Sequence, residues 1–518
     1  MKEGFRQSMS WLHTWGGLLM GWILFFVFLT GTAGYVEAEL DRWMRPEKPL
    51  VAAEIAQADA LVLGLKFVQE TMPDARRWLV SPPGGREQPE LRYFVENYPE
   101  TEGAPGKRQS GFLNPETGEK VAYRATGGGR LLYRMHYRLH YIPTTAGEWI
   151  VGFCAMVMFA ALVTGVIIHA RIFKDFFTFR PGTGHRNWLD AHNLLGVLSL
   201  PFHLMITYSG LLFICYLYMA PVIASEYGWG EDNRRQFTDI MFSGRPFDRS
   251  TERAASAPPA PLGPMLAEAE RMWGPNNIGF VDITRPGTAA ARVRILEGTR
   301  RVSGDRAEVL FDGATGAVID APAVNPVPRM VSETLLSLHE GLFAGPVLRW
   351  LYFLAGLMGT AMIGSGLILW TKKRRARLEG RLGFALVERL NVATVCGLPT
   401  AVAAYLWANR LLPVDIAGRV AWEALAVHAA LRPAARAWAE QCWIAAAAFG
   451  LIPLVNALTT DRHLGASLPA GQWELAAVDL TCLAFGLGFI VAARIAARSH
   501  QRAVQAKEVS PTVQEAAE

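Results

Sequence analysis

Residues 189–210 read LDAHNLLGVLSLPFHLMITYSG, an apolar run that contains two histidines, His192 and His203, 11 residues apart. On one straight helix they would differ by ~20° in direction and ~16 Å in height, so they would face the same side at two levels. Pro201 can bend the helix between them. Ionisable groups at membrane depth are costly and indicate function. Facing histidines in a helical bundle are typical of axial ligands to haem iron.

The composition is that of a membrane protein. Of 518 residues, 51% are hydrophobic and only 19% are charged. Several apolar stretches reach the roughly 20 residues that a bilayer crossing requires. These candidate spans are residues 11–35, 150–170, 194–220, 350–370, 390–409, 442–460 and 475–493. A weaker helix at 416–431 leaves the total at seven or eight spans. The basic C-terminal tail favours eight, because it then lies on the cytoplasmic side.

Positive charge is concentrated beside the spans, as the positive-inside rule requires. The clustered residues are Lys2, Arg6, Arg171, Lys174, Arg180, Arg186, Lys372, Lys373, Arg374, Arg375 and Arg377. They predict a multi-pass protein of the bacterial inner membrane with a cytoplasmic N-terminus. The lipid bilayer is therefore an expected partner. The small net charge of +5 gives no indication of a nucleic-acid partner.

This topology divides the chain into alternating membrane and periplasmic parts. The first span lies within residues 1–35, and a periplasmic domain follows at 36–148. The second and third spans occupy 149–220, with a basic cytoplasmic loop at 171–190. A second periplasmic domain covers 221–349 and the fourth span covers 350–371. Residues 372–518 form a C-terminal helical extension with three or four spans.

The spans contain an internal repeat. His13 precedes Gly31 by 18 residues, and His192 precedes Gly210 by the same 18. A second match joins the other two spans: Thr164-Gly165 is followed four residues later by His169, and Ser365-Gly366 four later by Trp370. The core is therefore predicted to be two copies of a two-helix unit.

The periplasmic loops repeat as well. Residues 112–121, FLNPETGEKV, resemble residues 310–319, LFDGATGAVI, and each reads as two strands joined by a tight turn. A helical stretch precedes each hairpin, near 55–70 and 262–273. These elements predict two small α+β domains.

These combined features resemble the PepSY-associated transmembrane proteins, a group that includes the FoxB-type ferrisiderophore reductases. The likeness is carried by FFTFRPG at 176–182, LDAHN at 189–193 and LPFHLMITYSG at 200–210. The resemblance implies an α-helical integral membrane protein with a four-helix haem-binding core. Two periplasmic α+β PepSY-like insertions and a C-terminal helical extension would complete the fold.

Six histidines are the candidate ligands of two b-type haems. An inner haem would use two of His13, His169 and His192, which lie at span ends near the cytoplasmic edge. An outer haem would use two of His140, His203 and His339, where His140 and His339 both follow leucine and are taken as equivalent. Structural histidines and a bare metal site are the alternatives, but no carboxylate or thiolate accompanies the histidines within the spans.

Neighbouring histidines are interpreted differently. His136 is expected to anchor the chain at the membrane interface, and His185 is expected to lie in a solvated loop.

The missing motifs constrain the chemistry. The sequence contains no C-x-x-C-H, no G-x-G-x-x-G and no H-E-x-x-H, so c-type haem, NAD(P)H binding and zinc hydrolysis are unsupported. Electrons would then come from quinol or a cytosolic reductase.

The resemblance implies an oxidoreductase that reduces a ferric siderophore and so releases Fe(II) for uptake. Two alternatives are open. One is a haem-dependent reductase for another ferric chelate or periplasmic acceptor. The other is a PepSY protein that binds or restrains a periplasmic peptidase.

Overall fold

The computed structural model describes residues 3–48, 55–84, 90–101, 106–169, 184–243, 252, 254–320, 327–412 and 417–515. Their α-helices are α1 (Glu3–Gly34), α2 (Glu37–Met44), α3 (Gln57–Thr71), α4 (Gly128–Arg138), α5 (Thr144–Ile168), α6 (His185–Leu198), α7 (Leu200–Phe213), α8 (Cys215–Tyr218), α9 (Ala220–Tyr227), α10 (Glu231–Ser243), α11 (Leu262–Trp273), α12 (Val327–Glu340), α13 (Pro346–Leu378), α14 (Leu382–Val392), α15 (Leu398–Leu411), α16 (Ala417–Leu431), α17 (Ala434–Gly450), α18 (Ile452–Thr459), α19 (Leu464–Ser467) and α20 (Trp473–Glu515). A π-helical turn, Ala393–Gly397, joins α14 to α15. The strands are β1 (Ala75–Ser81), β2 (Leu91–Asn97), β3 (Arg108–Leu113), β4 (Ile278–Thr284), β5 (Arg292–Glu297), β6 (Glu308–Asp312) and β7 (Val318–Asp320).

The chain divides into two compact units. The span unit comprises Met1–Pro46, Arg124–Ile214 and Ala344–Glu518, and the sheet unit comprises Glu47–Tyr123 and Cys215–Phe343. Six helices or continuous helix pairs in the described residues are long and apolar enough to cross a membrane. They begin at Gly4, Thr144, Pro346, Leu382, Ala434 and Trp473, and they match six of the predicted spans.

The remaining predicted span, at 194–220, is a bent pair of helices. Helices α6 and α7 meet at an angle of 67° around Ser199. Pro201 lies in the first turn of α7, where it lacks the N–H that would continue the hydrogen-bond ladder of α6. The Ser199 hydroxyl donates to the Leu195 carbonyl at 2.6 Å. The predicted bend is therefore present, and the alignment of His192 with His203 on one straight helix is wrong.

Counting the bent pair as one crossing gives up to seven spans in the described residues. Helix α16, the possible eighth, has 15 described residues, fewer than the roughly 20 that a bilayer requires. The basic loop predicted at 171–190 lies mostly outside the described residues.

Four helices form the first half of the span unit. Helix α1 packs against α5 and α13, and α13 in turn packs against α6. Their shared core includes Phe25, Met158 and Met362. Small residues allow close approach, as a Cβ on Gly21 would lie 2.8 Å from Leu367. The four helices of the two predicted two-helix units therefore pack around one shared core.

The boundary between the units differs from the predicted one at residue 35. Helices α2 and α4 belong to the span unit, although the sequence assigns both to the first periplasmic domain. Their apolar side chains are the reason: Trp43, Met44 and Leu132 are buried in one cluster with Leu406 and Phe449 of the C-terminal extension.

The sheet unit contains one seven-stranded antiparallel sheet with the order β3-β2-β1-β4-β5-β6-β7. The two predicted α+β insertions are therefore not separate domains, because β1 of the first pairs with β4 of the second. In this pairing Trp78 lies opposite Ile283 and Val80 opposite Val281. The predicted helices are present as α3 and α11, and both pack over one face of the sheet.

The two predicted hairpin turns have the expected chemistry. The Asp312 side chain accepts hydrogen bonds from the Ala314 and Thr315 amides, both at 3.0 Å, and β6 then pairs with β7. Asn114 accepts the Glu116 amide at 2.8 Å in the same way. There the second strand is reduced to a single bridge between Leu113 and Lys120.

Candidate functional site

The span unit encloses a cavity of about 430 Å³ among α1, α5, α6 and α13. This volume lies in the range of roughly 300–1,000 Å³ that is usual for cofactor and ligand pockets. Three of the six predicted ligands line it: His13 from α1, His169 immediately after α5, and His192 from α6. The structure thus brings together all three histidines that the sequence assigns to an inner site.

His13 is oriented by the end of α5. Its Nδ1 donates to the Ala161 carbonyl at 2.9 Å and lies 3.4 Å from the Thr164 hydroxyl. The ring packs against Gly165, where a Cβ would lie 3.3 Å from Cε1. The repeated pair Thr164-Gly165 therefore forms the surface against which the His13 imidazole packs.

His192 has the equivalent environment on α13. Its Nδ1 donates to the Met362 carbonyl at 2.9 Å and lies 3.3 Å from the Ser365 hydroxyl. A Cβ on Gly366 would lie 3.1 Å from its Cε1. In both copies the accepting carbonyl lies three residues before the hydroxyl residue, so the sequence repeat is also a repeat of hydrogen bonds.

These bonds determine the chemistry of the two imidazoles. Because Nδ1 carries the proton that is donated to a carbonyl, Nε2 keeps its lone pair, as in most metal-binding histidines. The His13 and His192 ring centroids are 6.3 Å apart and the ring planes are inclined at 79°. Two imidazoles that bind one metal ion from opposite sides, with metal–nitrogen distances of about 2.0–2.1 Å, have centroids ~6 Å apart. The centroid spacing is therefore compatible with one shared ion.

The rest of the cavity wall is apolar and basic. Glycines and aliphatic side chains form most of it, and Arg6, Lys373 and Arg374 supply positive charge. None of its described lining residues is an aspartate or a glutamate. No group of three or more metal-binding side chains occurs among the described residues. A largely apolar molecule with anionic groups and a metal that takes two nitrogen ligands fits this wall better than a bare ion does.

His203 is engaged differently. It is fully buried, with Nε2 3.2 Å from the Ala355 carbonyl and Nδ1 3.3 Å from the Ser199 hydroxyl. Both ring nitrogens therefore have protein partners. It does not line the cavity.

The other two predicted ligands lie in different units. His140 follows α4 in the span unit and its ring packs on Tyr141, with centroids 3.9 Å apart. His339 lies in α12 of the sheet unit.

His136 has a role that sequence reasoning missed. Its Nδ1 donates to the Val27 carbonyl at 2.8 Å, three residues before Thr30-Gly31, and a Cβ on Gly31 would lie 2.5 Å from that nitrogen. This is the third histidine bound at a hydroxyl–glycine pair. Spacing was the available signal, because His136 and His339 each lie seven residues before a proline that begins a span. By this spacing His136 corresponds to His339, whereas the shared Leu-His context pairs His140 with His339.

His185 is exposed, as predicted, but it does not lie in a loop. It begins α6 and lines the cavity.

Helices of spanning length around a histidine-lined cavity define a multi-pass membrane protein with a candidate cofactor site. Residues 10–373 match the family model described as the PepSY-associated TM region. The chain therefore belongs to this family, as the sequence motifs predicted. It is also similar to "Uncharacterized protein PA4219" of Pseudomonas aeruginosa, with 26% identity over 387 residues that cover 68% of this chain and 91% of that protein.

Proposed function

We propose that this chain is a haem-b-containing reductase of the inner membrane. It would pass electrons from the cytoplasmic side to a periplasmic ferric chelate, most naturally a ferric siderophore. The observation that carries the proposal is the His13–His192 pair, in which matching carbonyls fix the Nδ1 tautomer and the centroids are 6.3 Å apart. A haem iron held by two histidines would supply a one-electron couple suited to electron transfer.

His13 and His192 would hold the iron, and His169 would lie beside them in the same cavity. When bound, haem supplies a one-electron couple within the membrane. The protein groups do the rest: the carbonyls of Ala161 and Met362 keep the imidazoles oriented. The apolar helices exclude water and so favour a low-dielectric site.

A second, outer haem belongs to the same proposal. His136 supports it, because its bond to Val27 repeats the bonds of His13 and His192. His203 is less suited, since its Nε2 already lies 3.2 Å from the Ala355 carbonyl.

The acceptor is inferred from the family likeness and from iron chemistry. Siderophores offer hard oxygen donors that bind Fe(III) tightly and Fe(II) weakly, so one electron loosens the chelate. The sheet unit would provide the periplasmic surface for the acceptor. The electron donor would be membrane quinol or a cytosolic reductase.

The direct test is an absorption spectrum of the detergent-purified full chain, oxidised and then reduced with dithionite, with haem measured per chain. We expect a low-spin b-type spectrum, at one to two haems per chain. Mixing the reduced protein with a ferric siderophore should reoxidise it and yield Fe(II), trapped by a colorimetric chelator. Haem-free protein after expression with ample haem would overturn the proposal and favour restraint of a peptidase.

Crowding the His192 ring gives a finer test. In Gly366→Ala the new Cβ would lie 3.1 Å from Cε1, closer than ordinary contact, so the ring must shift. We expect haem affinity to fall by up to ~10-fold, the lower range for losses of supporting contacts at metal sites. Gly383→Ala on α14 is the matched control, because its Cβ has no neighbour within 4 Å. Equal haem titrations for the two variants would show that the Gly366 contact does not position the ligand.

A further inference from the structure

Trp370, on α13, has an unsatisfied buried donor at the cavity. Its side chain is only 8% exposed, it lines the cavity, and its Nε1 has no hydrogen-bond partner in the described part of the chain. Buried indole N–H groups normally donate to an acceptor, because a buried donor without a hydrogen bond costs free energy. The ring is also held in place, edge-on to Trp15 at 5.9 Å and stacked on Phe384 at 6.4 Å.

Two cationic residues lie near Trp370 in the chain. Lys373 and Arg374 follow Trp370 on the same helix and line the same cavity. The Arg374 guanidinium lies 4.5 Å from the centroid of the Trp370 ring and donates to the Trp370 carbonyl at 3.4 Å. A guanidinium has five N–H donors, so this bond leaves capacity for a further acceptor. No carboxylate of the described cavity wall balances these cations.

The repeat separates the role of Trp370 from that of the histidines. His169 follows Thr164-Gly165 by four residues, and Trp370 follows Ser365-Gly366 by the same four. An indole nitrogen is a donor only and cannot ligate a metal ion. One copy of the repeat therefore places an imidazole at this position, and the other places a hydrogen-bond donor beside two cations.

We infer that Trp370, Lys373 and Arg374 form a carboxylate-binding end of the cavity. The indole N–H donates to a carboxylate oxygen of the occupant, and the two cations neutralise its charge. The inference rests on the proposed function, in which the occupant is haem with its two carboxylate side chains. Charge-assisted hydrogen bonds of this type are about twice as strong as neutral ones, so they contribute to both affinity and orientation.

The test compares ligands with and without free carboxylates. The full-length apoprotein in detergent is titrated with haem b and with haem b dimethyl ester, and binding is followed by the Soret band. We expect the wild type to bind the diacid at least ~10-fold more tightly than the diester. In Trp370→Phe this preference should fall several-fold, and in Arg374→Gln also, while the low-spin spectrum of bound haem is kept because both histidines remain.

Trp407→Phe is the matched control. The Trp407 indole donates to the Ala448 carbonyl at 2.7 Å in the C-terminal extension and does not line the cavity, so its loss should leave the preference for the diacid unchanged. Equal affinity of the wild type for diacid and diester would overturn the inference, and so would identical behaviour of the two tryptophan variants. Both results leave haem binding itself intact.

Metal-free protoporphyrin and its dimethyl ester distinguish this failure from failure of the proposed function. If haem shows no imidazole ligation but the metal-free diacid is still preferred and requires Trp370, the carboxylate site stands and the reductase proposal falls. Binding of none of the four porphyrins would overturn both.

Discussion

His192→Ala should remove the low-spin haem spectrum from the purified protein. The substitution deletes one of the two imidazoles that are 6.3 Å apart, together with its hydrogen bond to the Met362 carbonyl. Loss of supporting contacts alone reduces metal affinity by about 10–100-fold, so loss of a ligand should cost at least ~100-fold. His13→Ala should behave in the same way, because its bond to Ala161 is the equivalent one.

The measurement is haem per chain together with the reduced-minus-oxidised spectrum. His428→Ala is the matched histidine control, since His428 bonds to Glu440 at 2.9 Å in the C-terminal extension and does not line the cavity. Free imidazole added to His192→Ala should restore the low-spin bands if the defect is a missing ligand. A wild-type spectrum in both His13→Ala and His192→Ala would show that neither histidine ligates the iron.

The grouping of the three cavity histidines could be predicted from the sequence. His13, His169 and His192 could be grouped by their level in the spans, and Thr164-Gly165 was visible as one member of the repeat. The sequence did not show that the hydroxyl–glycine pairs lie against histidine rings. That contact depends on which carbonyl faces each ring, and that is determined by packing between helices more than 140 residues apart in the chain.

Other features depended on contacts that no local pattern reports. The pairing of β1 with β4 joins residues about 200 positions apart, so each insertion read alone as a complete α+β domain. From the sequence, Lys373 and Arg374 indicate only a cytoplasmic segment, because they fit the positive-inside rule. That they also line a cavity depends on helix packing. The direction of His203 relative to His192 depends on the 67° bend at Ser199, and the size of that bend cannot be predicted from the sequence.

The C-terminal extension lies beyond the family match, which ends at residue 373, yet buried polar groups link it to the matched region. Asp479 of α20 is fully buried and accepts hydrogen bonds from the Trp43 indole and the Asn456 amide, both at 3.0 Å. Asn456 in turn accepts from Arg410 at 2.9 Å, and the Arg410 guanidinium lies 3.8 Å from the centroid of the Trp43 ring. Buried charged groups inside a span persist where they are paired or functional.

Asp479→Ala should therefore destabilise the whole span unit. The change leaves the Trp43 and Asn456 donors buried without their acceptor, at about 1–3 kcal/mol each, or about 2–6 kcal/mol in total. The measurement is thermal unfolding of the full chain in detergent, followed by tryptophan fluorescence. Glu474→Ala is the matched control on the same helix, because Glu474 is 38% exposed and its ion pair with Arg42 should contribute about 0–1 kcal/mol.

The two variants separate a structural link from a functional acid. If the Asp479 network only joins the extension to the family core, Asp479→Ala should lower the unfolding temperature well below that of Glu474→Ala. The protein that remains folded should then keep its haem spectrum and its rate of chelate reduction, because Asp479 does not line the cavity. Equal unfolding temperatures would contradict the structural reading. Loss of electron transfer in folded Asp479→Ala would instead show that this buried carboxyl has a functional role.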